Sequence, residues 1–177
     1  MRKALFFLGF MSDTDIEWLM RNGTKVRVPK GTTLIQQGKA TDSLFFVLDG
    51  EFIVSTKTAA QVAVLKAGEV VGEISFVDSR PPTASVSAAM DSLVGSVPRR
   101  QLTSKLRDDL GFAARFYRAM ATFLADRLRT TTGNLGGKDL ELDEDIEDTD
   151  ELAPHLLDNI SLAGTRFSEM QRRAWGS

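Results

Sequence analysis

The sequence predicts an α+β protein: an antiparallel β-roll, double-stranded and jelly-roll-like, flanked by an N-terminal helix and by C-terminal helices. Three observations predict it. Between Thr24 and Val94 the apolar residues come in short runs, separated by Gly-containing turns at roughly ten-residue intervals, the grammar of a small antiparallel barrel or roll. Before Thr24 and after Pro98 the apolar period lengthens to that of a helix. The 177 residues are 42% hydrophobic and 26% charged, the balance of a soluble chain with one core.

Residues 3–22 read as helix, with Leu5, Phe6, Leu8, Phe10, Ile16, Leu19 and Met20 on an apolar face. Ser12 followed by Asp15 offers a cap that divides it into two shorter helices, and Asn22-Gly23 ends it. Lys25 to Val28 then alternates with period two. Strands are predicted at Thr32–Gln36, Leu44–Leu48, Phe52–Val54, Gln61–Leu65 and Ser85–Val94, with Asp49-Gly50 as a tight hairpin signal. Pro98 suits the first turn of a helix, in which Leu102, Leu106 and Leu110 recur. A longer helix follows Gly111, with Phe112, Phe116, Met120, Phe123, Leu124 and Leu128 on one stripe and Arg115, Arg118, Arg127 and Arg129 elsewhere. Thr130 to Gly137 reads as flexible linker.

Composition narrows the chemistry. The chain has no cysteine, so disulfides, thiolate metal sites and a Cys nucleophile are excluded. Its single histidine, His155, is expected on the surface and makes no metal site without a carboxylate or thiolate neighbour. The N-terminal run Ala4 to Met11 is short and is soon followed by Asp13, Asp15 and Glu17; it reads as an amphipathic helix, and the protein as cytoplasmic. No stretch approaches the roughly 20 apolar residues that cross a bilayer.

Charge is unevenly placed. Residues 1–138 carry 19 Lys and Arg against 13 Asp and Glu, whereas residues 139–177 carry 3 against 11. Nine of those acids lie between Asp139 and Glu151. A mildly basic body therefore carries an acidic tether. The organisation expected is a domain over residues 1–132, a linker over 133–151 and an apolar and basic C-terminal segment over 152–177. That last segment reads as disordered, or as a recognition segment for a protein partner.

Two phrases, PKGTTLIQQGKATDSLFFVLDGEFIV and GEVVGEISFVDSRPPTASV, in this order and with helices on both sides, resemble the cyclic nucleotide-binding domain family over roughly residues 3–130. The family includes the effector domains of the cAMP receptor protein, of protein kinase A regulatory subunits and of gated channels. The resemblance makes Gly72-Glu73-Ile74-Ser75-Phe76 the start of the phosphate-binding cassette. Gly72 would let the backbone approach the ligand, and the short helix beginning at Glu73 would turn its free N–H groups to the cyclic phosphate. Glu73 would accept the ribose 2′-OH, Ser85 would contact phosphate or base, and Thr83 and Ala84 would line the wall.

The sequence departs from the family at the position of its arginine. Where the family reads Pro-Arg-Ala/Ser-Ala-Thr, this chain reads Pro81-Pro82-Thr83-Ala84-Ser85. Pro82 offers neither charge nor donor. A charge-assisted contact contributes about 1.5–3 kcal/mol, so its loss implies a roughly ten- to hundredfold weaker site. Arg80, two positions upstream on the same side of an extended chain, is the candidate replacement; otherwise it is expected to sit in solvent or to pair with Asp78.

Two functions are expected from this reading. One is a non-enzymatic regulatory module that binds cAMP or cGMP and relays ligand state through its C-terminal helices, as a homodimer through residues 111–130. The other is a ligand-independent version of the fold acting as an adaptor or scaffold. No other cofactor and no metal is implied. A DNA-binding helix-turn-helix unit needs about 60 residues with a basic helix. Only about 40 residues follow Leu135, and they are strongly acidic overall, which argues against direct DNA binding.

Overall fold

The computed structural model describes residues 3–59, 61–136 and 154–176, with side chains at 7–59, 61–129 and 162–176. Two helices open it, α1 (Lys3–Phe10) and α2 (Asp13–Asn22). Six strands follow: β1 (Thr24–Val28), β2 (Thr33–Ile35), β3 (Ser43–Asp49), β4 (Glu51–Ser55), β5 (Ala63–Lys66) and β6 (Val70–Val71). Helix α3 (Glu73–Asp78) interrupts them before β7 (Ser85–Ala88) and β8 (Ser92–Pro98). The chain then runs through α4 (Arg99–Asp108) and α5 (Leu110–Gly136) to α6 (Pro154–Arg172).

The strands form two four-stranded sheets, ordered β1-β8-β3-β6 and β2-β7-β4-β5, with antiparallel pairing throughout. They make an open roll rather than a closed barrel. Asp49-Gly50 does not close a hairpin: β3 and β4 lie in different sheets, so the turn is a corner between them. Gly50 is needed there because its φ is +92° and a Cβ would lie 2.1 Å from Ser92 Oγ. The predicted strand Ser85–Val94 is likewise two strands, one in each sheet.

The apolar patterns follow from what covers each face. Leu44, Phe46 and Leu48 of β3 belong to the core shared with the helices, while Val47 belongs to the core inside the roll. A strand buried on both faces reads as a continuous apolar run, which is why LFFVL does not alternate. In β4, by contrast, Phe52 and Val54 are buried and their neighbours half-exposed.

The capping box at Ser12 is formed, which separates α1 from α2: Ser12 N donates to Asp15 Oδ2 at 2.7 Å and Asp15 N to Ser12 Oγ at 3.2 Å. Asp15 also receives Arg115 Nε at 2.6 Å and Nη2 at 2.9 Å, tying α2 to α5. Burial raises the Asp15 pKa, but the Arg115 and Ser12 bonds outweigh it and hold the carboxyl below its ordinary 3.8.

The C-terminal segment, expected to be disordered or to dock on a separate protein, is instead helical and packed on this chain. Ala163, Met170 and Trp175 join the helical core, Gln171 Nε2 donates to Leu48 O at 2.6 Å, and Arg166 Nε bonds Asp13 at 2.7 Å. Trp175 lies over two glycines. A Cβ on Gly23 would come within 2.7 Å of the indole, and one on Gly95 within 2.1 Å. At both positions, space rather than backbone conformation calls for glycine. The indole N–H donates to Met170 O at 3.0 Å, so its polar atom is satisfied inside the core.

Two further expectations change. Thr130 to Gly136 continues α5 rather than forming a linker, and residues 137–153, with most of the acidic tether, lie outside the described residues, as does the His155 side chain. The stripe expected on α5 divides: Phe112, Phe116, Met120 and Phe123 are fully buried in the body, Leu124 is half-buried against them and Leu128 is exposed. The buried part packs against α1 and the first sheet, with Phe7 edge-on to Phe116 at 5.5 Å.

Replacing Gly95 with Ala is expected to unseat the indole and cost about as much as Trp175→Ala, on the order of 3 kcal/mol. In a Trp175→Ala background the same Gly95→Ala change is expected to be nearly neutral, because the clash is gone. Urea unfolding of the four proteins checks this. Asp15→Asn is expected to cost about 1.5–3 kcal/mol at neutral pH. Because the folded pKa is depressed, that stabilisation is full above 3.8 and is lost as pH falls through the folded value. Unfolding curves of wild type and variant should therefore converge in acid.

Candidate functional site

The site is organised by the turn from β6 into α3. Gly72 caps α3 in the left-handed conformation (φ 91°, ψ 5°), and a Cβ there would approach Ser43 O to 3.2 Å. Glycine is thus required for its conformation and favoured by the space. The turn carries the next residue, Glu73, into the interior with 2% of its surface exposed. Phe76, on the same short helix, anchors it by packing edge-on to Phe116 of α5 at 5.7 Å.

A cavity of about 250 Å³ opens beside this turn. Gly72, Glu73, Ile74, Ser75, Thr83 and Ala84 all line it, together with Pro82 and aliphatic side chains of the second sheet. The structure therefore brings six of the eight sequence-predicted residues to one place. Ser85 is not among the lining residues; its hydroxyl accepts from Gln37 N at 2.9 Å. Arg80 is not brought to the cavity either. Its Nε pairs with Asp78 at 2.8 Å and its backbone N–H with the other carboxylate oxygen at 2.9 Å, leaving the side chain 82% exposed.

The cation at the cavity comes from elsewhere. Arg127 of α5 lines it, bonds Glu73 through Nη1, and stands 6.0 Å from the Phe123 ring centroid. Among the described lining residues it is the one positively charged side chain. Sequence reasoning placed Arg127 off the apolar stripe of its helix but had no signal to connect it with Glu73, 54 positions away. What could have pointed to it is chemical: a carboxylate predicted inside a pocket needs a partner.

Burial pushes the Glu73 carboxyl above its ordinary 4.5; Arg127 and the backbone amides of Glu73 and Gly72 act against this but do not cancel it. The arrangement can do two things. The carboxylate can accept a hydroxyl hydrogen bond inside a largely aliphatic wall, and the guanidinium can move to an anion. Among the described residues there is no cluster of His, Asp and Glu fit to hold a metal ion, and no helix long and apolar enough to cross a membrane.

The sign of the Glu73 effect on stability follows. Below pH 4.5 the carboxyl is protonated in both states; as pH rises through the raised folded value, the unfolded chain ionises first and stability is lost. Glu73→Gln lacks this titration, so its melting temperature is expected to gain on the wild type's between about pH 4 and pH 7. A gap that widens in favour of the wild type over that range would contradict the assignment.

Residues 25–109 match the family model described as "Cyclic nucleotide-binding domain". The chain is 34% identical over 85 residues to the cGMP-dependent protein kinase egl-4 of Caenorhabditis briggsae, covering 48% of this chain and 11% of that kinase. It is 29% identical over 117 residues to the Pycsar effector protein XpPycTIR of Xanthomonas perforans, covering 66% of this chain and 38% of that protein. The chain thus spans well under half the length of either relative. Its fold superposes on a cyclic nucleotide-binding domain from Methylobacillus flagellatus with a TM-score of 0.70 at 21% identity, over 79% of this chain and 84% of that one.

Proposed function

We propose that this chain, with a cyclic nucleotide-binding domain over residues 25–109, is a regulatory module that takes cAMP or cGMP into the cavity beside α3 and relays occupancy through α5. One observation carries the proposal. A buried carboxylate at the head of α3 borders the cavity and is held there by an arginine from the long helix that follows the roll. A ribose hydroxyl is the neutral donor that can satisfy Glu73 when Arg127 leaves it. The cyclic phosphate is the anion that draws Arg127 away, and Arg127 then supplies the positive charge that Pro82 cannot. Ser75 and Thr83 add hydroxyl groups to the wall, and Ala84 and Pro82 add apolar contact.

Occupancy would shift α5 only by the difference in affinity between its two arrangements. Exchanging Arg127 from Glu73 to phosphate supplies that difference, because charge-assisted hydrogen bonds of about 1.5–3 kcal/mol are broken on one side and made on the other. A second reading, a ligand-independent adaptor, is favoured by Pro82 and by the fact that Arg127 already satisfies Glu73 within the chain.

We further propose a homodimer through α5, by the face opposite the buried phenylalanines. Leu110, Tyr117 and Leu128 are 80%, 50% and 68% exposed there, with Ala114 and Ala121 also exposed between them. Their spacing of seven, or seven plus four, keeps them on one seam of a helix pair.

Calorimetric titration with cAMP and with cGMP tests the ligand. Binding is expected for the wild type, weakened about tenfold or more in Glu73→Ala and in Arg127→Met. The absence of heat and of any thermal shift with either nucleotide at millimolar concentration would leave the adaptor. For the dimer, sedimentation of Tyr117→Glu and Leu128→Glu is expected to give monomers where the wild type gives dimers. A monomeric wild type would end that proposal.

A further inference from the structure

Helix α3 is held at both ends by the helices that follow the roll. Its first residue is gripped by Arg127 of α5; its last turn is gripped by Arg99, the first residue of α4. Arg99 Nη1 donates to Ser75 O at 2.7 Å, and Nη2 donates to Phe76 O at 3.2 Å and to Ser79 Oγ at 2.9 Å. The guanidinium also lies 5.2 Å from the Phe76 ring centroid. Carbonyls of a final helical turn carry its negative end. Here one planar cation bonds Phe76 O, adds a second donor to Ser75 O, which already accepts Ser79 N at 3.1 Å, and reaches a hydroxyl as well, which the point charge of a lysine does not reproduce.

The root of Arg99 is itself fixed. Its N–H donates to Asp42 O at 2.7 Å, and Pro98 before it holds φ at −60°. What it grips is strained: among the described residues, Ser79 is the one non-glycine with positive φ, at 60°. A serine keeps that conformation where its surroundings hold it.

We infer that Arg99 is a positioning residue for the ligand cavity: by holding the C-terminal end of α3 to the start of α4, it sets where Glu73 stands and ties α3 to the helical half. This rests on the proposal that the cavity binds a cyclic nucleotide. When a ligand takes Glu73 from Arg127, the hold at the far end persists. Displacement of α3 then passes to the first turn of α4 instead of dissipating in the loop from 79 to 84.

The test compares wild type with Arg99→Met, Arg99→Lys and, as a neighbouring control, Arg100→Met, all as the full chain. Amide hydrogen exchange is followed first without ligand. In Arg99→Met the amides of residues 76–79 are expected to exchange about tenfold or more faster, the scale of one lost charge-assisted bond, while β4 and β7 keep wild-type protection. Affinity for cAMP or cGMP, whichever the wild type binds more tightly, is expected to fall about tenfold. Arg99→Lys should restore part of both effects and Arg100→Met should change neither. Wild-type exchange at 76–79 in Arg99→Met overturns the hold on α3, and loosened amides with unchanged affinity overturn the positioning role. A wild type that binds neither nucleotide defeats the ligand reading, and the positioning role with it. The exchange arm then decides separately whether Arg99 holds α3.

Discussion

The ion pair between Glu73 and Arg127 is the constraint on which the rest of the site depends. A carboxylate with 2% exposure is costly to bury, and the turn at Gly72 leaves Glu73 nowhere else to go. Arg127 offsets part of that cost, and because it belongs to α5 it makes the position of the long helix part of the pocket's own electrostatics. Phe76 packing on Phe116 reinforces the same connection through the apolar core. The cavity is therefore built between the roll and its helices, and neither half forms it alone.

The core shows how this is kept in register. Strand β3 of the first sheet is buried on both faces, by the roll interior and by the helical core. Asp15 binds α2 to α5 through Arg115, and the C-terminal helix returns to lay Trp175 on Gly23 and Gly95. The Asp15–Arg115 pair and the burial of Phe112, Phe116 and Met120 fix the N-terminal half of α5 against the body. Arg127 sits beyond them, one turn past Phe123, the last fully buried member of the stripe.

Much of this was legible in the sequence, and what was missed has physical causes. The alternation around Phe52, the helix boundaries at Ser12 and Pro98, and the bend at Gly72 all follow from local chemistry, so local reading found them. Asp49-Gly50 misled because a tight turn has the same residues whether it closes a hairpin or turns a corner between sheets. The stripe of Phe112, Phe116 and Met120 does not announce its cover, because the sequence does not reveal that α1 and the first sheet lie over it. Gly95 gave no sign of its role, since a glycine chosen for space looks like any other. Arg127 was invisible for a similar reason: its meaning lies in a contact across 54 residues, and Arg80 was nearer in the chain.

The central claim is that ligand binding transfers Arg127 from Glu73. The side-chain Nε–H resonance of Arg127 in a nitrogen-15-labelled protein, assigned by comparison with Arg127→Lys, reports that partner directly. Titration with cAMP or cGMP is expected to move this resonance in step with saturation, while those of Arg115 and Arg166, paired elsewhere, stay in place. A saturated protein in which the Arg127 resonance is unmoved would contradict the account.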